Sequence, residues 1–174
     1  YAGGKVVMID NQIFREIEAF LFYEAEMLDT QQFDTWLSLW TDDASYRMPV
    51  RVTHDKRQAE EEFVTHFGHF DETREMLEIR VRRLSTKTAW AENPPSRTRH
   101  FVSNIRVVAE GNSVFSVRNN LLLYRNRGDS AEHDLLSAER HDVLRKVEDK
   151  WQISERCIYL DQSTLGTMNL SIFL

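Results

Sequence analysis

Eight polar side chains at positions that could face inward are candidates for an acid–base site: Tyr23, Asp34, Tyr46, His100, Asn104, Asn120, Glu139 and His141. An Asp or His beside a tyrosine, shielded from water, can take and return a proton, as an isomerase, dehydratase or hydrolase requires. His66 and His69 stand three apart in His66-Phe67-Gly68-His69-Phe70. On a helix that spacing puts two imidazoles on one face, as metal ligands can be. Gly68 disfavours the helix, and no carboxylate in the segment completes a ligand set at a recognisable spacing, although Asp71 is near; a solvated loop is the simpler reading. Cys157, the single cysteine, has no evident histidine partner and reads as a packed thiol. It cannot supply the two thiolates of a Rieske cluster or the three or four of most structural zinc sites. A Gly-rich phosphate loop, a Gly-x-Ser-x-Gly elbow and a dinucleotide fingerprint are all missing from the sequence, so nucleotide chemistry and serine hydrolysis have no local support.

The elements that must position these residues follow from periodicity. From Asp10 to Leu28 the residues Ile13, Ile17, Phe20, Leu21 and Leu28 recur on one helical face, with Asp10 as cap and Ile9 and Phe14 as a hydrophobic staple. Phe33, Trp36, Leu37 and Trp40 predict a second, short helix. Tyr46, Met48, Val50 and Val52 alternate as a strand over 45–52, and Pro49 confines it to an edge or a bulge. Residues 53–69 read as a long loop with at most a helical turn. A third helix is expected over 71–90, with Leu77, Val81, Leu84 and Thr88 on its buried stripe, and Pro94-Pro95 stops it. Four strands then follow, over 101–108, 114–124, 132–145 and 151–160, separated by turn residues.

This is one domain of α+β class, mainly helical with one early strand over 1–95 and an antiparallel meander with a C-terminal tail over 96–174. A strongly curved sheet wraps a long helix. The mouth of such a cone can be a pocket, but the predicted inward positions are crowded by Phe, Leu, Ile and Trp, which implies a filled cone.

Twenty-two Lys and Arg against 28 Asp and Glu give a net charge of −6, which argues against general nucleic-acid binding. No apolar run approaches the length of a membrane span and no signal peptide opens the sequence, so the protein is expected in the cytoplasm. The first residue is Tyr1, and a few residues are expected to precede it. The chain closes on Leu170-Ser171-Ile172-Phe173-Leu174, too apolar to lie free in water. It must be buried against its own sheet or against a neighbouring subunit.

Six blocks in order carry a resemblance. They are residues 20–29 (Phe20 to Asp29), 33–37 (Phe33 to Leu37), 46–51 (Tyr46 to Arg51), Arg80-Val81-Arg82-Arg83-Leu84 with Ala89-Trp90-Ala91-Glu92, residues 95–104 (Pro95 to Asn104), and Leu160-Asp161-Gln162 with Asn169-Leu170 and Phe173-Leu174. From about Phe20 onward the sequence resembles the beta subunits of aromatic-ring-hydroxylating dioxygenases, of the biphenyl and polycyclic-hydrocarbon type.

The resemblance implies a cone with a curved mixed or antiparallel sheet, similar to nuclear transport factor 2 and scytalone dehydratase. It also implies a trimer of these chains beneath three alpha subunits, in an α3β3 terminal oxygenase. There the alpha subunit carries a Rieske [2Fe–2S] cluster and a mononuclear Fe(II), and electrons arrive from NADH through a reductase and a ferredoxin. On this reading the present chain holds no catalytic, cofactor or metal site and supports activity through assembly. Its contacts are expected at Trp90, Arg97, Arg99, Phe173 and Leu174, since Trp and Arg favour interface anchors; a core role for Trp90 and local acid partners for the arginines is the plainer alternative. Two other readings stay open: a free-standing cone enzyme using Asp34 or His100 with a tyrosine, and a partner-binding module with a ligand-free cone.

Overall fold

A computed structural model describes residues 9–51, 63–85, 95–111, 113–129, 131–163 and 172–174, without the side chains of 63–67 and 85. The first helix, α1 (Asn11–Asp29), begins where the sequence places it: the Asp10 carboxylate accepts from the Gln12 N–H at 3.0 Å and so satisfies one of the first-turn donors. Its apolar stripe buries Ile17, Phe20, Leu21 and Leu28. Gln31, at φ 59°, turns the chain out of the helix, and α2 (Phe33–Ser38) follows. Trp40, expected on that helix, instead opens β1 (Trp40–Arg51).

A strand β2 (Phe63–Thr73) occupies 63–69 of the stretch read as a loop, whose earlier part, 53–62, lies outside the described residues, and takes the first three residues expected of the third helix. It pairs antiparallel with β1, setting Arg47 opposite Asp71 and Tyr46 opposite Glu72. The register breaks on both sides of Pro49, so the proline sits at a bulge, where its missing N–H costs no ladder bond. Gly68 lies opposite it, and a Cβ there would meet the Met48 carbonyl oxygen at 2.9 Å and that of Phe70 at 3.0 Å. The glycine that made this segment look irregular is thus what the bulged pairing requires. Because 63–73 is extended, the helical spacing of His66 and His69 has no meaning there.

The third helix, α3 (Arg74–Ser85), is shorter than expected at its start; Thr86, Thr88, Trp90 and Pro94 lie outside the described residues. Leu77 and Val81 are buried and Leu84 is half-buried, as the stripe predicts. Four long strands complete the fold: β3 (Ser96–Gly111), β4 (Val114–Arg127), β5 (His133–Val147) and β6 (Lys150–Leu160). Glu148 and Asp149, both at positive φ, join β5 to β6 in the two-residue turn that suits strand twist.

The sheet order is β2-β1-β6-β5-β4-β3. The β1–β6 pairing is parallel and every other is antiparallel, so the sheet is mixed. Alternation divides it into two faces. Val117, Leu121 and Leu123 of β4, Leu136, Ala138 and Leu144 of β5, and Ile158 and Leu160 of β6 are buried in one core with α1. Each full burial of such a side chain contributes about 2 kcal/mol.

Candidate functional site

The inward face of the sheet is not purely apolar. In phase with the buried aliphatics stand Asn119, Arg140, Asp142 and Arg156, and α1 sends Glu24 to meet them; all are buried. Arg156 is the hub. Its Nη1 and Nη2 donate to the two Glu24 oxygens at 2.5 and 2.9 Å, its Nε and Nη2 donate to Asp142 at 2.7 and 3.1 Å, and Nη1 also reaches the Leu174 carbonyl at 3.2 Å. Those contacts use every N–H of the guanidinium. Trp36 Nε1 donates to Glu24 at 3.0 Å, Arg140 Nε to Asn119 at 2.7 Å, and the Asn119 amide to Asp142 at 3.2 Å. Burial works against ionised Glu24, but the Arg156 and Arg140 charges and the bonds from Arg156 and Trp36 outweigh it and hold the carboxyl at about 2. Burial likewise disfavours charged Arg156, and Asp142 and Glu24 override it, so its guanidinium is held more firmly protonated. Arg156 and its two carboxylates satisfy one another, while Arg140 Nη2 is buried without a hydrogen-bond partner among the described residues; the set is sealed from solvent and its use is structural.

Toward the mouth of the cone the last residues of the chain fold back inside. Arg80 Nη2 donates to the Ile172 carbonyl at 3.0 Å, and His100 Nε2 lies 3.1 Å from that of Phe173. The Tyr46 hydroxyl accepts from the Leu174 N–H at 3.1 Å. Phe173 packs on Trp36 with centroids 4.2 Å apart and lies under the Arg80 guanidinium at 4.3 Å. Three successive residues therefore have their backbone held by interior polar side chains.

Of the eight acid–base candidates only Tyr46 and His100 point into this interior. The His100 Nδ1 lies 2.6 Å from Asp29, which also accepts from the His100 N–H and from Thr98. Burial opposes ionised Asp29, and the bond and charge of His100 more than offset it, so its carboxyl sits below the usual range. An Asp–His pair near a tyrosine is the arrangement that acid–base work needs, yet its outer nitrogen is turned to the chain's own Phe173 carbonyl and the tyrosine holds Leu174. Burial also pushes the Tyr46 phenol up. The space left between the described residues at the mouth, bordered by Leu28, Phe33, Leu84, His100, Ile172 and Phe173, is about 70 Å3; ligand pockets run to several hundred.

Tyr23, Asp34, Asn104, Asn120 and Glu139 are exposed, and His141 is half-buried on the outer face of the sheet. Cys157, also half-buried, lies beside it. A hydrogen bond with Cys157 and burial push the neighbouring Tyr159 phenol to about 12. Among the described residues no group of three His, Cys, Asp or Glu is placed to hold a metal ion. Of the expected contact residues, Arg97 is exposed and bonds the Gly128 carbonyl at 2.7 Å, and Arg99 is exposed with its guanidinium 3.8 Å from Asp29. Phe173 and Leu174 lie inside their own cone, 2% and 0% exposed; Trp90 is outside the described residues. What sequence reasoning missed, Glu24, Asp29, Arg80, Asn119, Arg140, Asp142 and Arg156, did leave a signal. Glu24 falls on the apolar stripe of α1, and Arg140, Asp142 and Arg156 keep step with buried aliphatics along their strands.

The model of the ring hydroxylating beta subunit family matches residues 23–167. The chain belongs to that family. It is 35% identical to the beta subunit of biphenyl 2,3-dioxygenase from Rhodococcus jostii, over 97% of this chain and 92% of the relative. A chain of naphthalene 1,2-dioxygenase, solved with indole bound in the active site, superposes with a TM-score of 0.85 at 23% identity, over 97% of this chain and 89% of that one. A scytalone dehydratase-type protein of Novosphingobium aromaticivorans superposes at 0.67 and 17% identity, over 90% of this chain and 89% of that one. The beta-subunit chain thus shares a cone fold with proteins of the dehydratase kind. A beta subunit is one component of a dioxygenase complex, which implies an alpha partner. No helix among the described residues is long and apolar enough to cross a membrane.

Proposed function

We propose that this chain is the non-catalytic, structural beta subunit of a cytoplasmic α3β3 oxygenase that converts aromatic hydrocarbons to cis-dihydrodiols. The observation that carries this reading is the filled cone. Family membership gives the role, and the interior that a dehydratase-type cone would offer a substrate is taken up by residues 172–174 and by the Glu24–Arg156–Asp142 network.

On this reading the alpha subunit holds the Rieske [2Fe–2S] cluster and the mononuclear Fe(II), and it is alpha that receives electrons from the ferredoxin and its reductase. One cysteine cannot furnish the thiolates of such a cluster. The contribution of this chain is geometric. A stiff beta base, its core locked by buried charges, holds the alpha chains so that electrons can pass between their metal centres. Arg97 and Arg99 are exposed beside the start of the meander and serve as contacts, together with Trp90. Phe173 and Leu174 act indirectly, by keeping the cone rigid.

The test is co-expression with a dioxygenase alpha chain, followed by light scattering and an iron assay. A coloured complex of equal numbers of large and small chains, with all iron leaving alongside the large chain on separation, is the expected result. An alpha assembly that forms and turns over normally without this chain refutes the structural role.

A further inference from the structure

Residues 172–174 belong to no helix or strand, yet they are buried inside the cone. Among the described residues their main-chain bonds all run to side chains of the surrounding wall. Arg80 of α3 donates to the Ile172 carbonyl, His100 of β3 lies on that of Phe173, and Tyr46 of β1 takes the Leu174 N–H. An ordinary core phenylalanine is delivered by a helix or a strand; Phe173 is delivered by a strap held as a bound peptide is held. The wall does not depend on the strap for its own order. Arg80 Nη1 also donates to Glu72 at 2.5 Å, and His100 is fixed on its other side by Asp29.

The seat of the Phe173 ring selects for an arene. Trp36 covers the ring with centroids 4.2 Å apart and planes 32° apart, and Phe33 borders it at 6.0 Å. The Arg80 guanidinium lies 4.3 Å from the ring centroid and 4.2 Å from that of Phe70. A guanidinium over a π face favours an aromatic ring over an aliphatic one of the same size. The space of about 70 Å3 at the mouth adjoins the same ring, which leaves room for a substituent. Outward from the ring the wall then meets, in order, a methylene, a carbonyl on His100 and an N–H on Tyr46. That succession of groups is an arylalkyl amide.

We propose that the cone retains a binding site for small neutral arylalkyl amides, and that residues 172–174 are its built-in occupant, a plug that shuts the site. The amide class follows from the wall, where His100 meets a carbonyl and Tyr46 accepts an N–H; a carboxylate offers no N–H. The plug sits on the same chain, so its effective concentration at the site far exceeds that of a dissolved ligand, and the wild-type site is closed. The inference goes beyond the beta-subunit reading and does not rest on it. It assigns binding to the cone and no reaction.

The test uses the full chain. Ile172→Gly/Phe173→Gly/Leu174→Gly erases the side chains of the plug and keeps the length of the chain. Calorimetry with hydrocinnamamide (a phenyl ring, two methylenes and an amide) should show binding to this variant, and binding about a hundredfold weaker or undetectable in the wild type. The cyclohexyl counterpart should bind the variant several-fold more weakly. Adding Arg80→Met should erase that preference, which a purely structural role of Arg80 would not do. Phe173→Ala vacates the ring seat alone, and toluene should raise its thermal midpoint by more than methylcyclohexane does, while leaving the wild type unmoved. A folded glycine variant that binds neither amide, one that binds both alike, or a wild type that binds as tightly as the variant overturns the inference. Should the glycine variant not fold, Phe173→Ala decides, and a thermal midpoint indifferent to toluene overturns it.

Discussion

Replacing Arg156 with methionine tests whether the interior is held by charge pairing. The substitution keeps a long apolar side chain but removes five hydrogen bonds, two each to Glu24 and Asp142 and one to Leu174. Glu24 and Asp142 are 0% and 2% exposed, so they cannot turn to water; they keep the neutral donors Trp36 Nε1 and the Asn119 amide, and the cation left beside them is Arg140, whose Nη1 is 3.6 Å from Glu24. Breaking one partner out of a buried pair costs about 3–5 kcal/mol. The cost belongs to the stranded carboxylates, so Glu24→Leu/Arg140→Met/Asp142→Leu/Arg156→Met, which leaves neither a carboxylate nor the buried Arg140 unpaired, should recover most of it. The pH dependence has a definite sign. In the wild type Glu24 is lowered from 4.5 to about 2, so its contribution of roughly 3 kcal/mol is present above pH 4.5 and is lost as pH falls toward 2. In the variant the charge and hydrogen bonds of Arg156 no longer offset desolvation, so the carboxyl moves up from its wild-type position. The gap between variant and wild type should therefore be widest near neutrality and narrow on mild acidification. Urea unfolding followed by the fluorescence of Trp36 and Trp40, both inside the cone, measures it. A loss below about 1 kcal/mol at neutral pH, or a quadruple variant as unstable as the single one, refutes the reasoning.

Phe173→Ala removes a ring that is 2% exposed and packed on Trp36 and Arg80; it should cost about 3–5 kcal/mol, seen as a lower thermal midpoint. Tyr46→Phe leaves the Leu174 N–H without its acceptor and should cost about 1–3 kcal/mol, with faster hydrogen exchange at that amide as the local readout. Gly68→Ala sets a methyl against two backbone carbonyl oxygens, which cannot move as side chains can; a loss of about 1–3 kcal/mol, with the β1–β2 amides losing protection first, is expected.

The main gap between sequence and structure is β2. Period-two alternation is a reliable guide only where one face is uniformly apolar, and Thr65, His66, Gly68 and His69 break it. Gly68 reads as a breaker in isolation, although in the sheet it is the residue that lets β2 pass the Met48 carbonyl. The third helix began late for the same reason, because β1 claimed Asp71 to Thr73 as partners. Residue type alone says nothing about which way a side chain on a strand faces. Asn120 and Asn119 are adjacent, and only Asn119 turns inward.

By itself the sequence determined the helix α1 with its Asp10 cap, the four-strand meander with its turns, and the family, since these depend on local spacing and on short blocks read in order. Only the tertiary structure decided the fate of the tail and of the charges. Whether Phe173 fills its own cone, and whether Glu24, Asp142 and Arg156 neutralise one another, depends on residues up to 132 positions apart meeting at hydrogen-bond distance. The curvature and pairing of the whole sheet fix those meetings, and local spacing carries no record of them.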